Sequence, residues 1–192
     1  MSENRPNGSM ATRTLVGCAL LAALSVVLAR LIIPMPNEST RFSLEQVPVF
    51  IAGMLFGPIP GALVGFVSDI VGCLFSGYGF NPLFCVPPIL YGLCAGLFRP
   101  MLARRMAIDT IAIAFLPAIV FGSIFYQSIA LAFVYGGEAF HAFFMEKLVA
   151  RSIQFAIVYV LDVAAVFALH KLKVFTAVGL WPPKLREKRN QA

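Results

Sequence analysis

From Leu15 to Ile33 the sequence is almost continuously apolar, and Arg30 is the single charged residue in this run. A helix needs about 20 such residues to cross the hydrocarbon core of a bilayer. Only 12% of all residues are charged, whereas an ordinary soluble domain has about 25%. We therefore expect an all-α membrane protein with six transmembrane helices, at 12–33, 46–56, 58–75, 83–103, 108–133 and 146–171.

Lysine and arginine are distributed unevenly among the segments that connect these spans. Most of them precede the first span, join the fourth to the fifth or follow the sixth, and basic connections tend to be cytoplasmic. We predict that both termini are cytoplasmic and that topology accounts for the net charge of +6, with no nucleic-acid partner. The expected organisation is a disordered polar tail at 1–10, one membrane domain at 11–175 and a basic cytoplasmic tail at 176–192.

Motifs for catalysis are absent from the sequence. The chain has no nucleotide-binding phosphate loop, no H-E-x-x-H zinc motif and no G-x-S-x-G serine motif. The four cysteines lie in apolar stretches without a C-x-x-C pair, and neither histidine has a partner at metal-ligand spacing. We expect no enzymatic activity, no metal and no cofactor. One distant alternative is an intramembrane aspartyl peptidase that would use Asp69 and Asp162 as an acid–base pair.

The segment Gly57-Pro-Ile-Pro-Gly61 separates the second span from the third. Both spans are shorter than a full bilayer crossing. Short membrane helices that glycine and proline interrupt are a pointer to a binding site, because their ends leave space for a polar ligand. We predict a cytoplasmic turn at Pro58 and Pro60, and a cavity on the outer side where the two helices stop short.

Small residues recur one helical turn apart, which allows helix backbones to approach closely in lipid. The pairs in the third and fourth spans predict packing inside the bundle. The pair in the first span could serve the same purpose or could form a docking face for another membrane protein. The pairs are Gly61 with Gly65, Gly92 with Gly96, and Ala19 with Ala23.

Polar and aromatic side chains converge at the predicted outer end of the bundle. Aromatic rings can stack on a flat ligand, amides can pair with the edge of a heterocycle, and arginine can bind a carboxylate. The pattern fits a pocket for a flat, polar, anionic small molecule, or else an aromatic belt at the membrane interface. The residues concerned are Arg41, Phe42, Ser43, Glu45, Gln46, Tyr78, Phe80, Asn81, Phe84, Tyr126, Gln127, Ser128, Arg151 and Gln154.

The run RFSLEQVPVFIAGMLFGPIPGALVGFVSDIVG, followed by GYGFNPLF and LYGL, resembles a known family. It is similar to the folate-type substrate-binding (S) component of energy-coupling factor (ECF) vitamin transporters. The resemblance extends from about Thr14 to Lys171, and the pattern from Pro48 to Gly72 is specific for this kind of S component. Where many members read SFGFLP, this chain reads SLEQVP, which places Glu45 and Gln46 at the rim of the pocket.

The resemblance implies a six-helix, multi-pass protein of the cell membrane that binds folate and mediates its uptake without enzymatic activity. Its partners would be a transmembrane coupling subunit, which Ala19 and Ala23 would contact, and two cytoplasmic ATPases. The S component would topple in the membrane to carry its pocket from the outer face to the inner face. Other water-soluble vitamins or precursors, such as pantothenate or a queuosine precursor, are the alternative ligands.

We assign the substrate-binding residues of this pocket as follows. Phe42 and Tyr78 would stack on a pterin-like ring. Asn81 and Gln127 would pair with its edge, and an arginine would meet the glutamate carboxylates. The complete set is Arg41, Phe42, Ser43, Tyr78, Asn81, Gln127 and Arg151.

Overall fold

The structure of the protein is a computed structural model. It describes residues 8–30, 33–34, 41–42, 44–76 and 81–177, and their side chains within 12–30, 44–75, 81–137 and 139–175. The α-helices are α1 (Gly8–Arg30), α2 (Gln46–Phe56), α3 (Pro58–Ser76), α4 (Val86–Leu97), α5 (Arg99–Arg104), α6 (Ile108–Pro117), α7 (Gln127–Tyr135), α8 (Phe140–Lys171) and α9 (Val174–Ala177). A π-helix (Ala118–Tyr126) joins α6 to α7, and 3-10 helices occupy Pro82–Cys85 and Gly137–Ala139.

The helical fold class is confirmed. Within the described residues, four helical stretches are long and apolar enough to cross a membrane, namely Thr12–Arg30, Pro58–Phe75, Ile108–Tyr135 and Phe140–Lys171. Two shorter apolar helical stretches, Gln46–Phe56 and Pro82–Leu97, lie at the second and fourth predicted spans. The count of six crossings and the cytoplasmic location of the termini stay predictions. The helix α1 begins at Gly8, inside the segment expected to be a tail, whereas most of the basic tail lies outside the described residues.

The first predicted span is too long at its C-terminal end. Helix α1 ends at Arg30, and Ile33–Pro34 instead forms strand β1, which pairs antiparallel with strand β2 (Arg41–Phe42). The reason is local, because the residue before a proline is driven away from helical geometry. Arg30 donates a hydrogen bond through Nη2 to the carbonyl of Gly72 at 2.7 Å, which ties the end of α1 to α3.

The turn between α2 and α3 lies where the sequence predicts it. Gly57 has φ +108°, a conformation that side chains with a Cβ rarely adopt, and Pro58 begins α3. Helix α2 has 11 residues and is thus about 16 Å long, roughly half of a 30 Å hydrocarbon core. The turn and the short second span are therefore both present, whereas the prediction of a short third span was wrong, because α3 has 19 residues and is long enough to cross a membrane.

Helices α2, α3 and α4 pack through glycine. A Cβ added to Gly92 would overlap the carbonyl of Gly61, and one added to Gly53 would overlap the carbonyl of Gly92. One added to Gly65 would overlap the backbone of Pro88. The packing role predicted for Gly61, Gly65 and Gly92 is confirmed, because no side chain fits between the backbones.

The long helical region after Ile108 is not uniform. Pro117 lacks the N–H that a regular helix uses, and the residues after it form the π-helix, in which the N–H of Gln127 donates to the carbonyl of Gly122. Phe115, just before this change, stacks on Phe50 of α2 with ring centroids 3.8 Å apart. The core therefore joins the α2–α3–α4 group to the α6–α8 group at the level of α6.

Helix α8 begins six residues before the predicted start at 146. The rings of Phe140 and Phe144 stack one helical turn apart, with centroids 6.4 Å apart, which extends the helix beyond the apolar stretch. The predicted boundary was wrong because it followed hydropathy alone.

Candidate functional site

A cavity of about 370 Å³ lies beside the start of α2, between α3 and α8. Small-molecule sites typically enclose about 300 to 1,000 Å³, so the cavity is large enough for a vitamin-sized ligand. Its described lining consists of Ala29, Glu45, Gln46, Asp69, Phe84, Pro87, Pro88, Ser123, Gln127, Arg151, Gln154, Phe155 and Val158.

Two carboxylates and one carboxamide lie on the α2–α3 side of the cavity. Glu45 immediately precedes α2, and its Oε1 accepts a hydrogen bond from Nε2 of Gln46 at 3.3 Å. The side-chain oxygen of Gln46 is buried and has no hydrogen-bond partner in the described part of the chain. Asp69 of α3 accepts a hydrogen bond from the Cys85 thiol, with 2.8 Å between Oδ2 and Sγ. This side therefore presents mainly hydrogen-bond acceptors to the cavity.

Arg151 is the cation on the other side of the cavity, among the described lining residues. Its Nη1 donates to the carbonyl of Ser123 in the π-helix at 3.4 Å, and its guanidinium lies 5.8 Å from the ring centroid of Phe155. The hydroxyl of Ser123 is within 3.1 Å of the Tyr91 hydroxyl, which fixes this part of the π-helix against α4. A guanidinium has five N–H donors, and the hydrogen bond to Ser123 is the one that the described residues show for Arg151, so other donors remain for a ligand.

The four positions of α8 that line the cavity share one helical face. Arg151, Gln154, Phe155 and Val158 occupy positions i, i+3, i+4 and i+7, which lie on one side of a helix. Together with Gln127 at the start of α7, they supply one cation, two amides and apolar surface to a single wall.

The structure brings together only some of the residues assigned from sequence. Gln127 and Arg151 line the cavity. Asn81 instead accepts a hydrogen bond from the backbone N–H of Leu83 at 3.1 Å and caps the following 3-10 helix. The roles of Gln127, Arg151 and Asn81 in ligand binding stay predictions. The side chains of Arg41 and Phe42, and the residues Ser43 and Tyr78, lie outside the described part of the structure.

Sequence reasoning missed several lining residues. From sequence, Asp69 was considered as one carboxylate of the peptidase alternative, but it accepts a hydrogen bond from Cys85 and lines the cavity. Ser123 carried no sequence signal, because serine is common in apolar membrane helices. The spacing of Phe155 from Arg151, one helical turn, was the available clue.

The peptidase alternative is contradicted by the geometry of its two carboxylates. Asp162 is entirely buried in α8, and neither of its carboxylate oxygens has a hydrogen-bond partner in the described structure. The hydrogen bond of Asp69 goes to Cys85. An aspartyl dyad requires two carboxyl groups that share a proton, and these two do not. Across the described residues, no group of three histidine, cysteine or acidic side chains is placed to hold a metal ion.

One face of α1 is left uncovered. Ala19 and Ala23 are both exposed, and they lie between the exposed side chains of Leu15, Leu20 and Val27. Ala22 and Ser25 on the other face are buried, and Ser25 donates to the carbonyl of Glu45 at 2.7 Å. The small pair is therefore not used for packing inside the described bundle.

Comparison with known proteins identifies the family. A family profile described as "ECF-type riboflavin transporter, S component" matches residues 9–171, most of the chain. The chain belongs to this family of S components. It is thus a membrane-embedded, multi-pass protein of the cell membrane, from a family of non-enzymatic proteins that bind vitamins and associate with an ECF module.

Individual relatives are more distant. UPF0397 proteins of Streptococcus pneumoniae strains CGSP14 and P1031 are each 33% identical over 87 residues, which cover 45% of this chain and 48% of theirs. The chain thus matches about half the length of these curated relatives. The structure of FolT bound with folic acid has a TM-score of 0.68 and 26% identity, over 82% of this S component and 92% of FolT. An S component for biotin shares the fold, with a TM-score of 0.61 and 18% identity over 86% of this chain and 95% of its own.

Proposed function

We propose that this S component captures a flat, anionic vitamin of the folate class from outside the cell and delivers it through an ECF transporter. The observation that carries the proposal is the cavity that Arg151, Gln127 and Gln154 line together with Phe155. A guanidinium can bind a carboxylate, and amides beside an aromatic surface suit a heterocycle. The likeness to the folate-bound structure of FolT supports the same ligand class.

Riboflavin is the second candidate ligand, because the matching family is described by that vitamin. Riboflavin is also flat and aromatic, but it lacks the carboxylates that an arginine at the cavity would bind. The presence of Arg151 in the lining therefore favours the anionic vitamin.

A ligand panel on the purified full-length protein tests the proposal. Isothermal titration calorimetry in detergent would compare folic acid with riboflavin, biotin, pantothenate and a queuosine precursor. We expect saturable binding of folic acid and no measurable binding of biotin. Binding of riboflavin with no binding of folic acid would replace the ligand class, and binding of none of the panel would remove the proposed function.

The exposed face of α1 around Ala19 and Ala23 is the surface that we propose for docking to the transmembrane coupling subunit. Small residues allow close backbone approach in lipid. The double variant Ala19→Leu, Ala23→Leu should therefore prevent α1 from packing closely against a helix of the coupling subunit. We expect uptake of labelled folate by cells that contain the coupling subunit and both ATPases to fall at least tenfold, while calorimetric binding by the purified variant stays unchanged.

The matched control places the same two changes on another exposed helical surface. Ala156 and Ala164 of α8 are exposed, so the double variant Ala156→Leu, Ala164→Leu adds equal bulk to the lipid face. Uptake should remain close to that of the parent. If both double variants reduced uptake equally, the α1 face would have no special role in docking.

A further inference from the structure

The cavity is electrically polarised, with its charges on separate groups of helices. Glu45 and Asp69 belong to the side formed by the start of α2 and by α3, whereas Arg151 belongs to α8. Helix α3 packs against α1, α2 and α4, and α8 packs mainly against α6, the π-helix and α7. No ion pair joins Asp69 to Arg151 in the described structure. Asp69 and Arg151 therefore do not neutralise each other by direct contact.

A hydrogen-bond acceptor without a described partner, Oε1 of Gln46, lies on the side of the cavity that carries Glu45 and Asp69. Gln46 is only 8% exposed and lines the cavity, and its Oε1 has no hydrogen-bond partner among the described residues. Its Nε2 donates to Glu45, which leaves the oxygen as the unpaired end of the amide. A buried acceptor without a donor is destabilising, so the site gains when a ligand brings an N–H group to this position. The burial of Gln46 is independent of the two charges, and it points to the same ligand chemistry.

We propose that Glu45, Gln46 and Asp69 form an acceptor wall that binds an N–H donor edge of a flat heterocycle, while Arg151 binds the anionic group of the same molecule. This inference rests on the proposed function and states which part of the ligand binds to each side of the cavity. The fitting edge is an amino group next to a ring N–H, because a carboxylate can accept two parallel N–H bonds. Pterins carry this edge.

The acceptor wall also discriminates against other vitamins. The pyrimidine edge of riboflavin presents a carbonyl on each side of its N–H, so two ligand oxygens would face carboxylate oxygens. A site that hydrogen-bonds its substrate rejects an analogue that cannot reproduce those bonds, because the buried polar groups of the site are left unpaired. The wall thus favours an amino-substituted pyrimidinone over a dioxo-pyrimidine of similar size.

The test compares folic acid with 2-desamino-2-methyl folic acid, in which a methyl group replaces the donor amine. Calorimetry on the full-length protein should show that the parent prefers folic acid by about 10- to 100-fold, the effect of a hydrogen bond to a charged group. In Asp69→Asn and in Glu45→Gln, this preference should fall to about threefold or less. Asp109→Asn and Glu146→Gln, which change exposed carboxylates away from the cavity, should keep the parental preference.

Cys85→Ala distinguishes ligand recognition by the Asp69 carboxylate from a structural role of its hydrogen bond to Cys85. This variant removes the hydrogen bond between Cys85 and Asp69 but leaves the carboxylate in the wall, so we expect the preference to persist. If Asp69→Asn does not fold, Glu45→Gln decides the question. Equal binding of the two ligands by the parent, or equal weakening of both in Asp69→Asn and Glu45→Gln, would overturn the acceptor wall while leaving folate binding intact. If the parent bound neither ligand nor any other vitamin of the panel, the proposed function itself would fail.

Discussion

Replacing Gly92 of α4 with alanine should strongly destabilise the protein. The new Cβ would overlap the carbonyl of Gly61, and both groups belong to backbones of packed helices that cannot move alone. Overpacking typically costs about 1 to 3 kcal/mol, and a backbone obstacle places this variant at about 3 kcal/mol. For a chain of this size, the melting temperature should fall by about 6 to 12 °C.

The measurement is thermal unfolding in detergent, followed with a thiol-reactive dye. Cys85 and Cys94 are buried and become reactive as the bundle opens. Gly72→Ala is the matched control, because a Cβ at Gly72 would meet no other part of the described structure within 4 Å. Its melting temperature should equal or slightly exceed that of the parent, since alanine favours helix. Similar melting temperatures for Gly92→Ala and Gly72→Ala would show that close packing of α3 on α4 does not govern stability.

Gly92→Ala should also alter the geometry of the ligand cavity. Asp69 lies on α3 two turns beyond Gly61, and Pro88 lies on α4 one turn before Gly92, and both line the cavity. A wider separation of the two helices would move these groups apart. The glycine contacts thus stabilise the fold and set the width of the cavity.

The positions of the helices could be predicted from sequence because hydropathy and turn chemistry act locally. The turn at Gly57 follows from a glycine between a short apolar run and a proline, and the structure places α2 and α3 on either side of it. The π-helix could not be predicted, because a proline such as Pro117 within an apolar run is equally compatible with a kink or a helix end. The early start of α8 was missed because its first turns are aromatic and polar.

The candidate site was predictable only in part, for a related reason. Gln127 and Arg151 stand out as polar residues in apolar helices, and both line the cavity. Sequence alone treats Asp69 and Asp162 alike, because both are single carboxylates in membrane helices. The fold distinguishes them, since Asp69 contributes to the cavity wall and Asp162 is enclosed by protein. That distinction depends on which helices meet, and periodicity within one helix cannot supply it.

Replacing Arg151 with alanine should weaken folate binding by about 2 to 5 kcal/mol, or roughly 30- to 5,000-fold in Kd. The guanidinium is held by the Ser123 carbonyl and lies near the Phe155 ring, so it is already positioned when the ligand arrives. A carboxylate that enters the cavity would replace water as the partner of its remaining donors. Calorimetric titration of the purified variant with folic acid provides the measurement.

A second ligand shows whether the loss comes from the carboxylates or from a distorted cavity. The compound 6-methylpterin keeps the heterocycle of folic acid but has no carboxylate, so Arg151→Ala should bind it about as well as the parent does. Arg105→Ala, which removes an exposed arginine near Asp109, should bind both ligands like the parent. Equal losses for folic acid and 6-methylpterin in Arg151→Ala would mean that Arg151 supports the π-helix through Ser123 and does not bind the anionic group. A loss confined to folic acid would place the carboxylates on the α8 side and leave the heterocycle to face Glu45, Gln46 and Asp69.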